Sequence, residues 1–166
     1  AVLRLGQRTT TADAEGEVIA EATVDFTPDK LQQVQALFTG ELMQLPPMHS
    51  ALKKDGKALY EYAREGVDVE RTPRRVTVYA LHLSELPTVD GVRSVALHAR
   101  CSKGTYIRTL GEDIGIALGC GAFLSSLRRV QSGIFLAKDC VTLTDLESFA
   151  EDKRHASLPV SYTHLT

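Results

Sequence analysis

No run of residues in this sequence approaches the roughly 20 consecutive apolar positions that span a membrane. The opening AVLRLGQRTT also lacks the charged-then-apolar pattern of a secretory signal. Together these absences predict a soluble protein of the cytoplasm. Cysteine is scarce: Cys101, Cys120 and Cys140 are far apart and form no C-x-x-C pair, which argues against a disulfide framework or a zinc site. All three read as reduced, packed thiols. Net charge is nearly absent too, at −2, so bulk attraction to a polyanion does not organise the molecule. Neither G-x-x-x-x-G-K-[ST] nor G-x-G-x-x-G occurs, because Gly111, Gly115, Gly119 and Gly121 are spaced differently, and no nucleotide cofactor is indicated. The histidines, His49, His82, His98, His155 and His164, show no ligand spacing; no metal is assigned, and His82 and His98 read as packing residues of strands. Ser50, Ser125 and Ser126 lack the glycine-flanked elbow of a hydrolase nucleophile.

What is present is enough apolar sequence for one core: 166 residues, 43% hydrophobic and 24% charged. EGEVIAEATVDF (15–26) alternates as a half-buried strand does. A helix is predicted after it, with Thr27 as N-cap, Pro28 first, Leu31, Val34 and Leu37 on one face and Gly40 as the stop. The proline pair in QLPPMHS forces extended backbone, and ALYEYARE (58–65) is a second helix ended by Gly66. RVTVYALHLSEL and VRSVALHARCS, joined across an Asp-Gly turn, read as two long antiparallel strands. From Thr105 the period changes, and Ile107, Leu110, Ile114, Ala117 and Leu118 share a helix face until Gly119. AFLSSLRRV (122–130) follows as a strand or short element, then LTDLESFAED (143–152) as a helix capped by Thr142 or Thr144. The class is α+β, a mixed but largely antiparallel sheet with flanking helices.

Charge is distributed unevenly. Residues 13–29 hold acids and no Lys or Arg, whereas Arg100, Lys103 and Arg108 stand together without an acid, Arg128 and Arg129 adjoin, and Lys53, Lys54 and Lys57 surround a Gly. Such patches suit selective contact with a polyanion and are equally compatible with a solvated surface. The corner SKGTYIRTL (102–110) permits two readings. Gly104 lets the chain turn, free N–H groups of the next helix attract phosphate between Lys103 and Arg108, and Tyr106 offers a face for an unpaired base. Alternatively Gly104 only turns the chain and Tyr106 joins the core.

Four segments in order, LGQRTTTADAEG (5–16), QLPPMHSALKKDGKALYEYAREG (44–66), RCSKGTYIRTLGEDIGIALGCGA (100–122) and SLRRVQSG (126–133), resemble the middle of the TruB family of tRNA pseudouridine synthases. The resemblance runs from Val2 to Pro159, and residues 160–166, which end in SYTHLT, are unmatched. It implies part of a pseudouridine synthase catalytic domain over 1–159, a monomer, and an isomerase of the tRNA T-loop uridine that needs neither metal nor organic cofactor. The T-stem-loop of tRNA is the implied partner, with no membrane involved. In that family an Asp in an upstream loop attacks the everted nucleoside, and neither that motif nor the family's base-stacking Tyr is found here. Neither Asp13, in T-x-D-x-x-G, nor Asp113 resembles it, so the chain is expected to be inactive alone.

The resemblance implies that Arg128 pairs with the missing Asp and orients it, and that Gly104, Tyr106 and Arg108 form part of the active-site wall. Lys103 is implied as a phosphate contact, Asp13 as the residue that orders the cleft-side loop, and Lys53, Lys54 and Lys57 as contacts to tRNA backbone. Arg128 and the Gly104 corner are expected to line one concavity. His49 and Ser126 depart from the family's usual residues. Two other classes stay open: an RNA-binding or RNA-folding module without chemistry, and a packing fragment with no activity of its own.

Overall fold

A computed structural model describes residues 1–149. In chain order, β1 (Val2–Leu5), β2 (Gln7–Thr9) and β3 (Val18–Glu21) precede α1 (Pro28–Leu37), β4 (Gly40–Gln44) and the short hairpin β5 (Lys53–Lys54) and β6 (Lys57–Ala58). Next come α2 (Leu59–Arg64), β7 (Arg74–Glu85), β8 (Ser94–Cys101), α3 (Ile107–Leu118) and β9 (Ala122–Ser126). These lie in one compact unit, Ala1–Leu127, and a second unit begins at Arg128. The second contains β10 (Gln131–Ser132), β11 (Phe135–Leu136), a 3-10 turn and α4 (Leu143–Ser148). The Thr142 hydroxyl accepts from the Asp145 N–H, and the Asp145 carboxylate accepts from the Thr142 N–H, which starts α4 as a capping box.

Five strands form one sheet in the order β4-β7-β8-β1-β9, antiparallel at every step. The β7–β8 pair is the long hairpin expected from the alternation. Its pairing slips between Val78 and Ala80, and that one-residue shift returns Leu81 and Leu83 to the face already occupied by Val76 and Val78. α1 lies against β7 and α3 against β9 and α1, so Leu31, Val34, Leu110, Ile114 and Leu118 meet Leu3, Val78, Val95 and Leu97 in one core. Burying Leu110 and Ile114, both at most 1% exposed, contributes about 2 kcal/mol each. Thr27 caps α1 through its hydroxyl, which accepts from the Lys30 N–H, and Gly119 ends α3 in the left-handed region.

Several expectations need correction. Only Val18–Glu21 of the 15–26 segment is a strand, and all four residues are exposed because β3 pairs with β2 alone. The apolar residues that do pack are Val24 and Phe26, beyond the strand, where the Arg93 guanidinium lies 4.5 Å from the Phe26 ring and donates to the Val24 carbonyl. His82 and His98 are exposed register partners, so they are not packing residues; alternation sends Leu81, Leu83 and Leu97 inward instead. The cysteines are free, but only Cys120 is buried and Cys140 is exposed. The tail from residue 160 lies outside the described residues.

Candidate active site

The corner after β8 is built from backbone hydrogen bonds. Ser102 extends the ladder by pairing twice with Thr77, donating from its N–H to the Thr77 carbonyl (2.8 Å) and accepting from the Thr77 N–H at its hydroxyl (3.0 Å). The Thr105 N–H then reaches back to the Ser102 carbonyl at 3.4 Å, which places Lys103 and Gly104 at the centre of a tight turn. Gly104 has a φ of 81°, the conformation a turn of this kind demands at its third residue and one that side chains resist. Lys103 and Gly104 are exposed. Tyr106 is extended and forms the N-cap of α3, but no side chain of the cap satisfies the helix. Instead Gln44, 4% exposed at the end of β4, grips the Tyr106 backbone: its Oε1 accepts from the Tyr106 N–H (2.8 Å) and its Nε2 donates to the Tyr106 carbonyl (3.1 Å).

Two residues further on, in the first turn of α3, Arg108 is held from both sides. One Nη donates to Asp13 Oδ2 at 2.8 Å and the other to the His49 carbonyl at 2.7 Å. Asp13 is itself fixed: its Oδ1 accepts from the Thr11 hydroxyl (2.6 Å) and the Glu15 N–H (3.1 Å), and its carbonyl accepts from the Thr9 hydroxyl. Partial burial pushes the Asp13 carboxyl up, but the Thr11 hydroxyl, the Glu15 N–H and Arg108 together hold it below the usual carboxylate value. Its loop runs parallel to β9, with the Leu124 N–H donating to the Ala12 carbonyl and the Ala14 N–H to the Leu124 carbonyl, each at 3.0 Å. Segments around residues 13, 44–50 and 104–108 thus converge on one guanidinium. The remaining N–H groups of Arg108 have no partner among the described residues, so the cation is orientated and still able to receive a further anion. Asp13, with both oxygens engaged and its carboxyl acidified, is a poor nucleophile.

The structure brings Gly104, Tyr106, Arg108 and Asp13 into one neighbourhood and puts Lys103 at its turn. Lys53 is exposed on the β5–β6 hairpin. Lys54 donates to the Glu70 carbonyl (2.7 Å), and Lys57 pairs with Glu65, which raises its pKa, while lying 4.6 Å from the Tyr62 ring centre. Arg128 opens the second unit, is exposed and makes no ion pair among the described residues. Among the described residues no three His, Cys, Asp or Glu side chains converge as metal ligands do. No helix described is long and apolar enough to cross a membrane. Sequence reasoning missed Gln44 and the His49 carbonyl. A buried glutamine at the end of an edge strand has no periodic signature, and a backbone acceptor has no side-chain signal at all.

The description "TruB family pseudouridylate synthase (N terminal domain)" matches residues 1–107, and "tRNA pseudouridylate synthase B C-terminal domain" matches residues 108–162. The chain belongs to the TruB family. Among curated TruB-family relatives, the tRNA pseudouridine synthase B of Ralstonia pickettii is 58% identical over 157 residues, covering 95% of this chain and 49% of that protein. The protein of the same name from Cupriavidus pinatubonensis is 52% identical over 160 residues, covering 95% of this chain and 50% of the other. The chain spans about half the length of these relatives. The fold is similar to solved structures described as a Cbf5-Nop10-Gar1 complex (30% identity, TM-score 0.54, 95% of this chain and 40% of that one) and an H/ACA RNP bound to a substrate RNA containing 2'-deoxyuridine (25%, 0.55, 96% and 36%). This TruB-family chain therefore carries the family's sheet, with the Gly104 corner and the Asp13 loop both on it.

Proposed function

We propose that this chain is part of the catalytic domain, residues 1–159, of a cytoplasmic tRNA pseudouridine synthase acting on the T-loop uridine. The reaction detaches the uracil from its ribose, turns it and rejoins it through carbon, so the protein must hold an everted nucleotide beside an attacking carboxylate. That carboxylate belongs to a motif outside these 166 residues, and the chain alone is inactive. The observation that carries this reading is the half-buried Arg108, fixed by Asp13 and the His49 carbonyl next to Tyr106 and retaining unused donors. Tyr106 and Gly104 wall the nucleotide, and Lys103, Lys53, Lys54 and Lys57 meet RNA phosphates.

Two cations compete for the task of orienting the incoming carboxylate. The family resemblance supports Arg128. Geometry favours Arg108, because a guanidinium whose direction is already set loses less freedom on pairing than an exposed, unpaired one. The test is pseudouridine formation on a T-stem-loop RNA, by tritium release or mass labelling, beside a binding titration. It compares the 166-residue chain, a longer protein that includes the upstream carboxylate motif, and that longer protein carrying Arg108→Ala or Arg128→Ala. The longer protein is expected to be active and the short chain inactive. Arg108→Ala is expected to lower kcat about 100-fold or more with RNA binding largely kept, the scale for losing a group that stabilises charge in the reaction. If Arg128→Ala shows that pattern instead, Arg128 is the orienting group. Pseudouridine made by the short chain would overturn the outside carboxylate and point to Asp13, whereas binding without chemistry in the longer protein would favour an RNA-binding module.

A further inference from the structure

We infer that Gln44 is a positioning residue of this site, holding Tyr106 and, through the start of α3, Arg108 in their working places; the inference rests on the functional reading above. What carries it is the direction and burial of one amide. Gln44 is 4% exposed, yet both ends of its side chain are spent on one peptide unit pair, accepting from the Tyr106 N–H at 2.8 Å and donating to the Tyr106 carbonyl at 3.1 Å. A buried amide is tolerated only when its donor and acceptor are both satisfied, so this geometry is strongly specified. The same Tyr106 carbonyl accepts the first bond of α3, from the Leu110 N–H at 3.0 Å. Gln44 therefore fixes the residue from which the helix departs, and Arg108 lies in its first turn.

The chain after Gln44 turns this single contact into a clasp. Five residues on, the His49 carbonyl accepts from Arg108 at 2.7 Å. Between them, the Pro46 carbonyl accepts from Arg71 at 3.1 Å, which ties the middle of the segment down. One short stretch, 44–49, thus grips the Tyr106 backbone at one end and the Arg108 side chain at the other. A purely architectural glutamine has no need to address the N-cap residue of the helix that carries the site's cation.

The test uses the longer, active protein with the T-stem-loop RNA. Gln44→Ala is expected to lower kcat about 10- to 100-fold, with KM changed by less than about threefold, since a misplacement of about 1 Å can cost this much. Gln44→Glu gives a sharper readout. When protonated, the new carboxyl still accepts from the Tyr106 N–H and donates to the Tyr106 carbonyl, as the amide does; when ionised, it sets a charge against that carbonyl. Activity relative to wild type should therefore be nearly restored at the acidic end of the pH range and fall as pH rises. Equal losses in Gln44→Glu at every pH, or losses in KM alone, would overturn the positioning role. Amide exchange at Tyr106 separates this from failure of the functional reading. If wild type makes no pseudouridine, that reading fails on its own, and Gln44 is judged by whether Gln44→Ala speeds exchange of the Tyr106 N–H at least tenfold while global unfolding stability stays nearly constant. Unchanged exchange overturns it.

Discussion

Replacing Gly115 with Ala should unseat α3 from the sheet, whereas the same change one turn earlier, at Gly111, should be nearly harmless. A methyl group at position 115 would stand 2.2 Å from the Ala122 nitrogen, 2.5 Å from the Ala122 Cβ and 2.6 Å from the Gly121 carbonyl carbon. Two of these are backbone atoms of a segment tied to the same turn, because the Gly121 N–H donates to the Gly115 carbonyl at 2.9 Å. To restore ordinary contact, β9 must move by about 1 Å, and overpacking that no rotamer change relieves lies at or above the upper end of a 1–3 kcal/mol cost. Against this stands about 1 kcal/mol gained by replacing glycine within a helix, leaving a net loss of about 2 kcal/mol or more. At Gly111 the methyl meets one atom closely, Leu3 Cδ2 at 2.5 Å, with the next Leu3 atoms at 3.7 and 3.8 Å. A side-chain tip can rotate, so cost and helix gain nearly cancel, within about 1 kcal/mol. Urea unfolding of the two variants and wild type, followed by far-UV circular dichroism, reads the difference as a midpoint shift at constant slope. If Gly115→Ala were as stable as Gly111→Ala, the close seating of α3 on β9 would be refuted.

Asp13→Asn should cost about 1–3 kcal/mol at pH 7, the scale of hydrogen bonds to a charged partner. Because the folded state holds this carboxyl below its ordinary value of 3.8, its contribution is complete above that value and is lost as pH falls through the depressed one. The stability gap between Asp13→Asn and wild type should accordingly shrink below about pH 4, and a gap independent of pH in acid unfolding would exclude the Arg108 pair as its source. Lys103→Ala in the longer protein should weaken binding to a T-stem-loop RNA and lower the slope of log affinity against log salt by about one; an unchanged slope would remove Lys103 from the phosphate contacts.

Much of the fold was legible in the sequence, for identifiable reasons. The start of α1 was readable to the residue because Thr27 caps it and Pro28 opens it, but its end was not: Phe38 is the C-cap, Gly40 already belongs to β4, and Leu37, expected on the packed face, is exposed. The β7–β8 hairpin was readable from alternation on both sides of an Asp-Gly turn, although the slip after Val78 was not, since one extra residue leaves the apolar count unchanged. β1 and β4 escaped notice because four or five residues carry little period, and their strand character comes from neighbours far away in sequence. In the site, the Gly104 corner announced itself through its unusual grouping of residue types. That Asp13 and Arg108, 95 residues apart, form a pair could not be read from either segment, because the contact depends on how β9 carries the 12–14 loop past α3. Arg108 was singled out, as was Arg128, but the groups that hold Arg108 were not.

The parallel run of residues 12–14 beside Leu124 has a consequence for solubility. β9 is the last strand of its sheet, and an uncovered last strand offers a row of free N–H and C=O groups to which another molecule's strand can add. Here the Ala12 carbonyl and the Ala14 N–H occupy the Leu124 positions, so the loop that orients Arg108 also shields the sheet from edge-to-edge association. Variants that loosen this loop should lose monodispersity, and the composition of the loop is constrained by colloidal behaviour as well as by its hold on Arg108.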